Sequence, residues 1–184
     1  MKHIVLMNTK GGVGKSSICK NLHQELMRTG SLVQGRDIDP QQHYARYFSE
    51  LNQPIDAEYI IYDTAGIDCS ENHHLLAAIN NLESSDDAII IIPVRPTDTD
   101  LFEVKEIVNI LRSYNLENKA IFVLNSCVRE KSKRVLIVKE ALATYGVKVA
   151  KSVFTTKEGF DEVGETPNPK ITNEVSRLIH EIIK

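Results

Sequence analysis

The stretch that decides the fold is Thr9-Lys10-Gly11-Gly12-Val13-Gly14-Lys15-Ser16-Ser17, which lies between an apolar run and a helical pattern. Glycines let a backbone turn tightly, so that successive N–H groups can point at a phosphate, and the following helix N-terminus adds a favourable dipole. Lys15 supplies a point charge for β- and γ-phosphates, and the Ser16 hydroxyl is a hard oxygen ligand for Mg²⁺. The stretch therefore predicts a phosphate-binding loop.

Short apolar runs and helical patterns alternate on both sides of this loop. Continuous apolar runs are typical of parallel strands covered on both faces, and five of them occur, at 3–7, 59–62, 88–93, 120–124 and 148–154. Helical patterns occur at 16–29, 72–83, 100–114, 132–145 and 170–183. A further strand is expected by position near 31–38, although its residues form a poor apolar run. The alternation predicts a single α/β domain over 1–184 with a doubly wound, mostly parallel sheet.

Composition excludes several classes of protein. The 184 residues are 42% hydrophobic and 26% charged, as in ordinary globular proteins, which excludes a disordered chain. The longest uncharged apolar run, Ala88–Val94, is far shorter than the roughly 20 residues of a membrane helix, and no signal peptide is evident. The three widely spaced cysteines favour reduced thiols in a cytosol over a disulfide framework or a zinc cluster.

Charge is unevenly distributed along the chain. Residues 119–157 carry nine bases and two acids, a balance of +7, so the rest of the chain is −10 against a total of −3. A face that binds a polyanion is one interpretation, and a solvated lysine-rich surface is the other. In the last helix an aliphatic stripe lies opposite mixed charges, a pattern that favours docking on the protein's own core over binding to a membrane surface.

Two acidic motifs follow the loop. Asp37-Ile38-Asp39-Pro40-Gln41 ends the expected second strand, and the spacing of two puts both carboxylates on one side of an extended chain. Taken alone, this segment could also be a surface turn. Asp63 ends the apolar run at 59–62, an arrangement that holds magnesium through water in nucleotide-binding proteins, and Gly66 could offer its N–H to a γ-phosphate and act as a switch.

Lys10 followed by Gly-Gly-Val-Gly-Lys-Ser resembles the deviant Walker A motif of the ParA/MinD family of ATPases. The order and spacing of motifs over nearly the whole chain are most similar to those of the short plasmid-partition members. The resemblance implies a P-loop NTPase fold of the deviant Walker A (SIMIBI) type, with ATP and Mg²⁺ as ligands. Thr9 departs from the ordinary P-loop, which has glycine there.

The resemblance also implies roles for individual residues. Lys10 would reach across a dimer interface to the partner's nucleotide, Asp37 would help to hold the hydration shell of Mg²⁺, and Asp39 would orient the attacking water. The implied catalytic residues are Lys10, Lys15 and Asp39, and the implied metal residues are Ser16, Asp37 and Asp63. The implied nucleotide-binding residues are Lys10, Gly11, Gly12, Val13, Gly14, Lys15, Ser16, Ser17, Gly66 and Asn125.

Weaker matches occur farther along the chain. The segment from Pro93 to Asp100 resembles a family stretch that contributes to the dimer face, although Asp98 and Thr99 could simply cap a helix. Asn125 matches the position of an asparagine that recognises adenine, and such a residue can also be only a turn residue. The loop near 154–156 is expected to close over the adenine, and Lys157 falls where the family often has arginine. His73 and His74 are expected to be structural or surface residues rather than metal ligands.

The leading hypothesis is an ATP-dependent homodimer that segregates DNA, of the ParA kind. It would bind duplex DNA non-specifically, respond to a ParB-like centromere-binding adaptor, and be cytoplasmic and nucleoid-associated, with no membrane contact. The alternative is a MinD-like or other cargo-positioning ATPase of the same family that does not act on DNA. A metabolic P-loop enzyme or an iron–sulfur reductase is disfavoured by Lys10 and by the absence of paired cysteines.

Overall fold

The structure is a computed structural model that describes residues 1–48, 53–82, 84, 87–157, 160 and 168–183. Its strands are β1 (Lys2–Leu6), β2 (Val33–Asp37), β3 (Tyr59–Asp63), β4 (Ala88–Val94), β5 (Ala120–Cys127) and β6 (Lys148–Thr155). Its α-helices are α1 (Lys15–Arg28), α2 (His43–Phe48), α3 (Ser70–Asn80), α4 (Asp98–Ser113), α5 (Lys133–Ala143) and α6 (Pro169–Ile182). A 3₁₀ turn at Glu117–Lys119 precedes β5.

The six strands form one sheet in the order β2-β3-β1-β4-β5-β6, and every pairing is parallel. The predicted doubly wound α/β architecture is confirmed, and the sheet is parallel throughout its described strands. The strand order changes direction beside β1, and ligands of open α/β sheets bind at such a point, outside the carboxyl ends of the strands.

Two apolar cores cover the two faces of the sheet. Side chains of α3, α4 and α5 pack on one face, and side chains of α1, α2 and α6 pack on the other. Neighbouring residues of one strand alternate between them, because Val5 faces the first core and Ile4 and Leu6 face the second. Burial on both faces explains why the central strands are continuous apolar runs.

The helix boundaries and contacts differ from expectation in three places. The helix α2 was not predicted. Asp98 and Thr99 were considered as caps of α4, but the capping oxygen belongs to Thr97, which accepts a hydrogen bond from the Asp100 N–H. The predicted end of the third helix at residue 83 lies outside the described residues, and α3 ends at Asn80.

The prediction for the last helix is confirmed, because α6 buries its stripe of Ile171, Val175, Leu178 and Ile182 in the second core. Each such side chain contributes about 1.5–3 kcal/mol when it is fully buried. Among the described residues, no helix has both the length and the apolar character needed to span a membrane.

Candidate functional site

The loop between β1 and α1 has the backbone that its glycines predict. Gly12 and Gly14 have φ angles of 72° and 93°, in the left-handed region that favours glycine. A Cβ on Gly14 would also lie 2.2 Å from Nδ2 of Asn125, so no larger residue fits there. No side chain caps the start of α1 within the described chain, and its first N–H groups are therefore available to an anion.

Lys15 is the cation of this loop. It is only 6% exposed, and its Nζ lies 3.4 Å from the Lys10 carbonyl oxygen. Burial lowers the pKa of Lys15, and the negative charges of Asp63 and Asp39 oppose that shift. No carboxylate of the described residues forms a salt bridge with Lys15, so its charge is free to meet an anionic ligand.

Asp63 ends β3 as a fully buried carboxylate without a partner. Neither of its oxygens has a hydrogen bond to any described residue. Burial raises the pKa of Asp63 to about 7, and the nearby Ser16 hydroxyl opposes the shift without reaching the geometry of a hydrogen bond. A buried, unpaired carboxylate beside a hydroxyl is the donor set expected for Mg²⁺, whose charge would satisfy Asp63. The residues present therefore fit the cation that the sequence predicted.

The acidic motif after β2 is a turn as well as a candidate site. Oδ1 of Asp37 accepts the Asp39 N–H at 2.9 Å, and Oδ2 accepts the Ala45 N–H of α2 at 2.8 Å. Asp37 pairs in register with Asp63, which places the two carboxylates on neighbouring strands. The chain turns after Asp37, and Asp39 reaches the cavity described below whereas Asp37 does not line it.

Lys10 points away from the loop that contains it. Its Nζ forms salt bridges with Asp100 at 2.9 Å and Glu103 at 3.1 Å, both on α4. Arg95 also binds Asp100, at 2.8 Å. Burial would raise the pKa of Asp100, but hydrogen bonds from Arg95 and Lys10 outweigh it and hold that pKa at about 2. The hydrogen bond from Lys10 to Asp100 likewise raises the pKa of Lys10.

Gly66 lies directly against the phosphate-binding loop. A Cβ on Gly66 would be 2.9 Å from Cα of Gly11 and 3.2 Å from Nζ of Lys15. Asn125, at the end of β5, donates through Nδ2 to the Val13 carbonyl at 2.8 Å. Asn125 therefore anchors the loop from the opposite side, whether or not it also contacts a base.

These elements surround a cavity of about 1040 Å³, large enough for a nucleotide. Nine of the predicted site residues line it: Gly11, Gly12, Gly14, Lys15, Ser16, Ser17, Asp39, Gly66 and Asn125. Four do not: Lys10 binds α4, Val13 and Asp63 are buried beneath the surface, and Asp37 forms the turn.

The cavity also has walls that the sequence reasoning missed. One is α2, which contributes His43, Arg46 and Tyr47. Tyr44, Tyr47 and Phe48 are spaced as one face of a helix, a signal that could have predicted it. Ser126 also lines the cavity, with a strained φ of 55°.

A final wall is the end of β6 and the residues that follow it. Thr155, Thr156 and Lys157 line the cavity, as expected for a loop near a base. Buried Glu174 of α6 holds this segment by accepting hydrogen bonds from the Thr155 N–H and hydroxyl and by pairing with Lys157. The predicted closure over adenine stays a prediction.

The adjacent histidines are not arranged as a metal site. His73 is hydrogen-bonded to Tyr114 at 2.9 Å and to Asp68 at 2.7 Å. Within the part of the chain that the structure describes, no group of three His, Cys, Asp or Glu residues is positioned to hold a metal ion.

The comparison with known families decides the class of protein. A model of the CobQ/CobB/MinD/ParA nucleotide binding domain matches residues 4–166. The chain belongs to this family. A search of curated proteins finds no match to the sequence. The predicted membership is therefore confirmed, and the family is one of nucleotide binding domains.

Solved structures of the family are similar over nearly the full length. A plasmid partition protein from Borrelia burgdorferi, bound to AMPPNP, has a TM-score of 0.77 at 16% identity, covering 99% of this chain and 98% of that one. MinD of Aquifex aeolicus, in a complex with MinC, gives 0.69 at 16%, covering 98% and 96%. The pNOB8 ParA bound to nonspecific DNA gives 0.65 at 13%, covering 98% and 99%. At these identities the likeness establishes the fold.

Proposed function

We propose that the protein is an ATP-hydrolysing dimerisation switch of the ParA kind that acts on DNA as one unit spanning 1–184. The observation that carries the proposal is the opposite orientation of the two lysines of the loop. Lys15 faces the chain's own cavity, whereas Lys10 points to α4 and leaves that cavity without it. A cation held outside its own site is available to a second copy of the chain.

Mg²⁺ would accompany the nucleotide. Ser16 and Asp63 are the residues that would hold it, with Asp37 on the adjacent strand, because Asp63 is buried with neither oxygen paired among the described residues. When bound, Mg²⁺ would neutralise charge on the β- and γ-phosphates. Ser16 begins α1 with Lys15, so the hydroxyl and the cation come from the same turn.

In the hydrolysis that we propose, a water oxygen attacks the γ-phosphorus while the bond to the ADP oxygen breaks, giving ADP and phosphate. Asp39, which lines the cavity, would orient that water. Lys15 would stabilise charge on the β- and γ-phosphates, and the partner's Lys10 would add a second positive charge as the phosphoryl group transfers.

Dimer formation would require Lys10 to leave its salt bridges. In the structure it is held by Asp100 and Glu103, so the ATP-bound dimer must supply contacts that replace these two. The pair with Glu103 is partly exposed and contributes about 1 kcal/mol or less. Asp100 is nearly buried, but it keeps its ion pair with Arg95 when Lys10 leaves, so the exchange does not leave a buried carboxylate unpaired.

Binding to DNA would use the basic region of the chain. Several of its bases are engaged within the chain, as Arg134 is with Asp98 and Lys157 is with Glu174. Arg129, Lys131 and Lys133 are exposed and lie between β5 and the start of α5, at the carboxyl edge of the sheet near the cavity. Contacts to phosphates from these bases would be insensitive to sequence and steeply dependent on salt. The similar pNOB8 ParA was solved with nonspecific DNA.

The test is duplex DNA binding without nucleotide, with ADP and with AMPPNP, each across a salt series. We expect binding only with AMPPNP and its loss in Lys10→Ala. In Lys131→Glu we expect weaker binding and a salt slope that is smaller by about one. Lys170→Glu is the matched control, because Lys170 is exposed at the start of α6 and lies outside the basic region.

Two results would contradict parts of the proposal. Binding to DNA in no state, with AMPPNP still driving dimerisation, would remove the DNA function and favour the alternative, a MinD-like ATPase that positions another cargo. Absence of both AMPPNP-driven dimerisation and hydrolysis would remove the switch itself. Stimulation of hydrolysis by a ParB-like adaptor and association with the nucleoid follow only if DNA binding is observed.

A further inference from the structure

Asn72 lies in the first turn of α3, directly behind Gly66, and is 1% exposed. Its Nδ2 donates hydrogen bonds to the carbonyl oxygens of Ala65 at 3.2 Å and Ile67 at 2.9 Å. These are the two carbonyls on either side of Gly66. One side chain therefore holds the backbone immediately before and immediately after the glycine.

The orientation of the Asn72 amide has a single solution. Its Oδ1 is buried and has no hydrogen-bond partner among the described residues. Turning the amide over would place this oxygen against two carbonyl oxygens, which cannot donate. A buried acceptor without a partner is unfavourable. At Asn72 the two hydrogen bonds that Nδ2 donates offset the cost of the unpaired Oδ1.

The position of the Gly66 backbone leaves little freedom. A Cβ at Gly66 would approach Cα of Gly11 to 2.9 Å and Nζ of Lys15 to 3.2 Å, so the backbone already contacts the phosphate-binding loop. A shift of the 65–67 segment toward that loop would cause a clash, and a shift away would carry the Gly66 N–H away from a γ-phosphate. Asn72 holds the 65–67 segment on the side opposite the phosphate-binding loop, and it thereby fixes the distance between them.

The next residue of α3 holds the same segment at its far end. His73 contacts Asp68, two residues after Gly66, and its other ring nitrogen contacts the Tyr114 hydroxyl at the end of α4. Consecutive residues of one helical turn therefore fasten the segment 65–68. Asn72 is buried, whereas Asp68 and His73 are partly exposed, so Asn72 is the stronger of the two fastenings.

We propose that Asn72 is a positioning residue for Gly66, and that it gives the site its preference for a nucleoside triphosphate over a diphosphate. The inference rests on the proposed function, because it assumes that the Gly66 N–H meets the γ-phosphate. ADP lacks that phosphate, so the Gly66 N–H has no phosphate to meet when ADP is bound. Displacing Gly66 should therefore weaken only the triphosphate.

The experiment compares AMPPNP and ADP affinity, with Mg²⁺, in wild type, Asn72→Ala and Asn72→Leu. The leucine variant is close to asparagine in size and has no hydrogen-bond donor. Both variants should bind AMPPNP about tenfold more weakly, as expected for the loss of two hydrogen bonds, and ADP within about twofold of wild type. Asn80→Asp, an exposed change at the other end of α3, should leave both affinities unaltered.

Equal losses for AMPPNP and ADP, or no loss for either, would overturn the inference, because Asn72 would then be a purely structural residue or an unimportant one. A normal affinity for ADP in each variant shows that the cavity has folded. Failure of the wild-type protein to bind AMPPNP would count against the proposed function itself, so the two failures are distinguishable.

Discussion

At one end of the phosphate-binding loop the side chain of Lys10 is fully engaged, and at the other end the side chain of Lys15 is not. Asp100 and Glu103 pair with Lys10, whereas among the described residues Lys15 has no salt bridge and faces the cavity. The carboxylates near the two ends, Asp100 and Asp63, also differ in whether they are paired. Asp100 receives bonds from two cations and its pKa is held at about 2, while unpaired Asp63 has a pKa raised to about 7.

The difference separates two kinds of polar group. Charged groups that are fully paired keep their arrangement until new contacts replace the existing salt bridges. An unsatisfied buried charge raises the free energy of the folded state until a ligand neutralises it. In the proposed function, the Lys15 end would receive a ligand within this chain, and the Lys10 end would be rearranged by a partner.

The largest effect should come from replacing each of the two lysines in turn. Lys15→Met should lower ADP affinity about a hundredfold, because two charge-assisted hydrogen bonds to phosphates are lost. Lys10→Met should change ADP affinity by less than about twofold, since Nζ of Lys10 lies at α4. Isothermal titration calorimetry measures both affinities. Similar losses in the two variants would contradict the division of the loop into two ends.

Removing the unpaired charge should stabilise the metal-free protein. Asp63→Asn should raise the free energy of unfolding by about 2 kcal/mol at pH 8 with EDTA present, because a buried carboxylate without a partner is replaced by a neutral group. The stabilisation that Mg²⁺ gives the wild type should disappear. Urea unfolding measures both, and the exposed Asp56→Asn serves as control. A destabilised variant would contradict the assignment of Asp63 as an unsatisfied group.

Replacing the paired carboxylate of Asp100 should lower the free energy of unfolding, and the size of this effect should depend on pH. The pKa of Asp100 is lowered, so its ionised form stabilises the fold above its ordinary pKa near 4, and this contribution is lost as the pH falls through about 2. Asp100→Asn should therefore be less stable than wild type by about 1 kcal/mol at pH 6, and the gap should narrow toward pH 3. Unfolding by urea at the two pH values gives the comparison, and a gap that widens at low pH would contradict it.

Much of the fold follows from local sequence, and the exceptions have physical causes. Apolar runs predicted five strands, namely the four central strands, which are buried on both faces of the sheet, and the edge strand β6. The strand β2 lies at the other edge of the sheet and has a poor apolar run, and its Gly35 leaves room for Phe48, whose ring would lie 2.5 Å from a Cβ there. Its place was inferred correctly from the alternation alone. The helix α2 was missed because six residues form a helix only with outside support, here the buried hydrogen bond between His23 and Tyr44 at 2.7 Å.

The candidate site was predictable where its residues belong to one sequence motif, and it was not predictable where a contact joins distant segments. Nine predicted residues meet at one cavity, as their motifs implied. The pairing of Lys10 with Asp100 joins segments 90 residues apart, and nothing in either segment indicates it. Asn72 is likewise an ordinary helical residue in sequence, and only the fold places it behind Gly66.

The smallest expected effect concerns the two asparagines that anchor the ends of the loop. Asn8 binds the Lys10 N–H and the Pro93 carbonyl, and Asn125 binds the Val13 carbonyl. Asn125→Ala should reduce stability by about 0.5–1 kcal/mol, since one hydrogen bond is lost. If Asn125 also contacts adenine, the variant should lose more affinity for ATP than for tripolyphosphate, which has no base, whereas Asn8→Ala should affect the two ligands alike. Equal losses in Asn125→Ala would mean that Asn125 only holds the loop and does not contact the base.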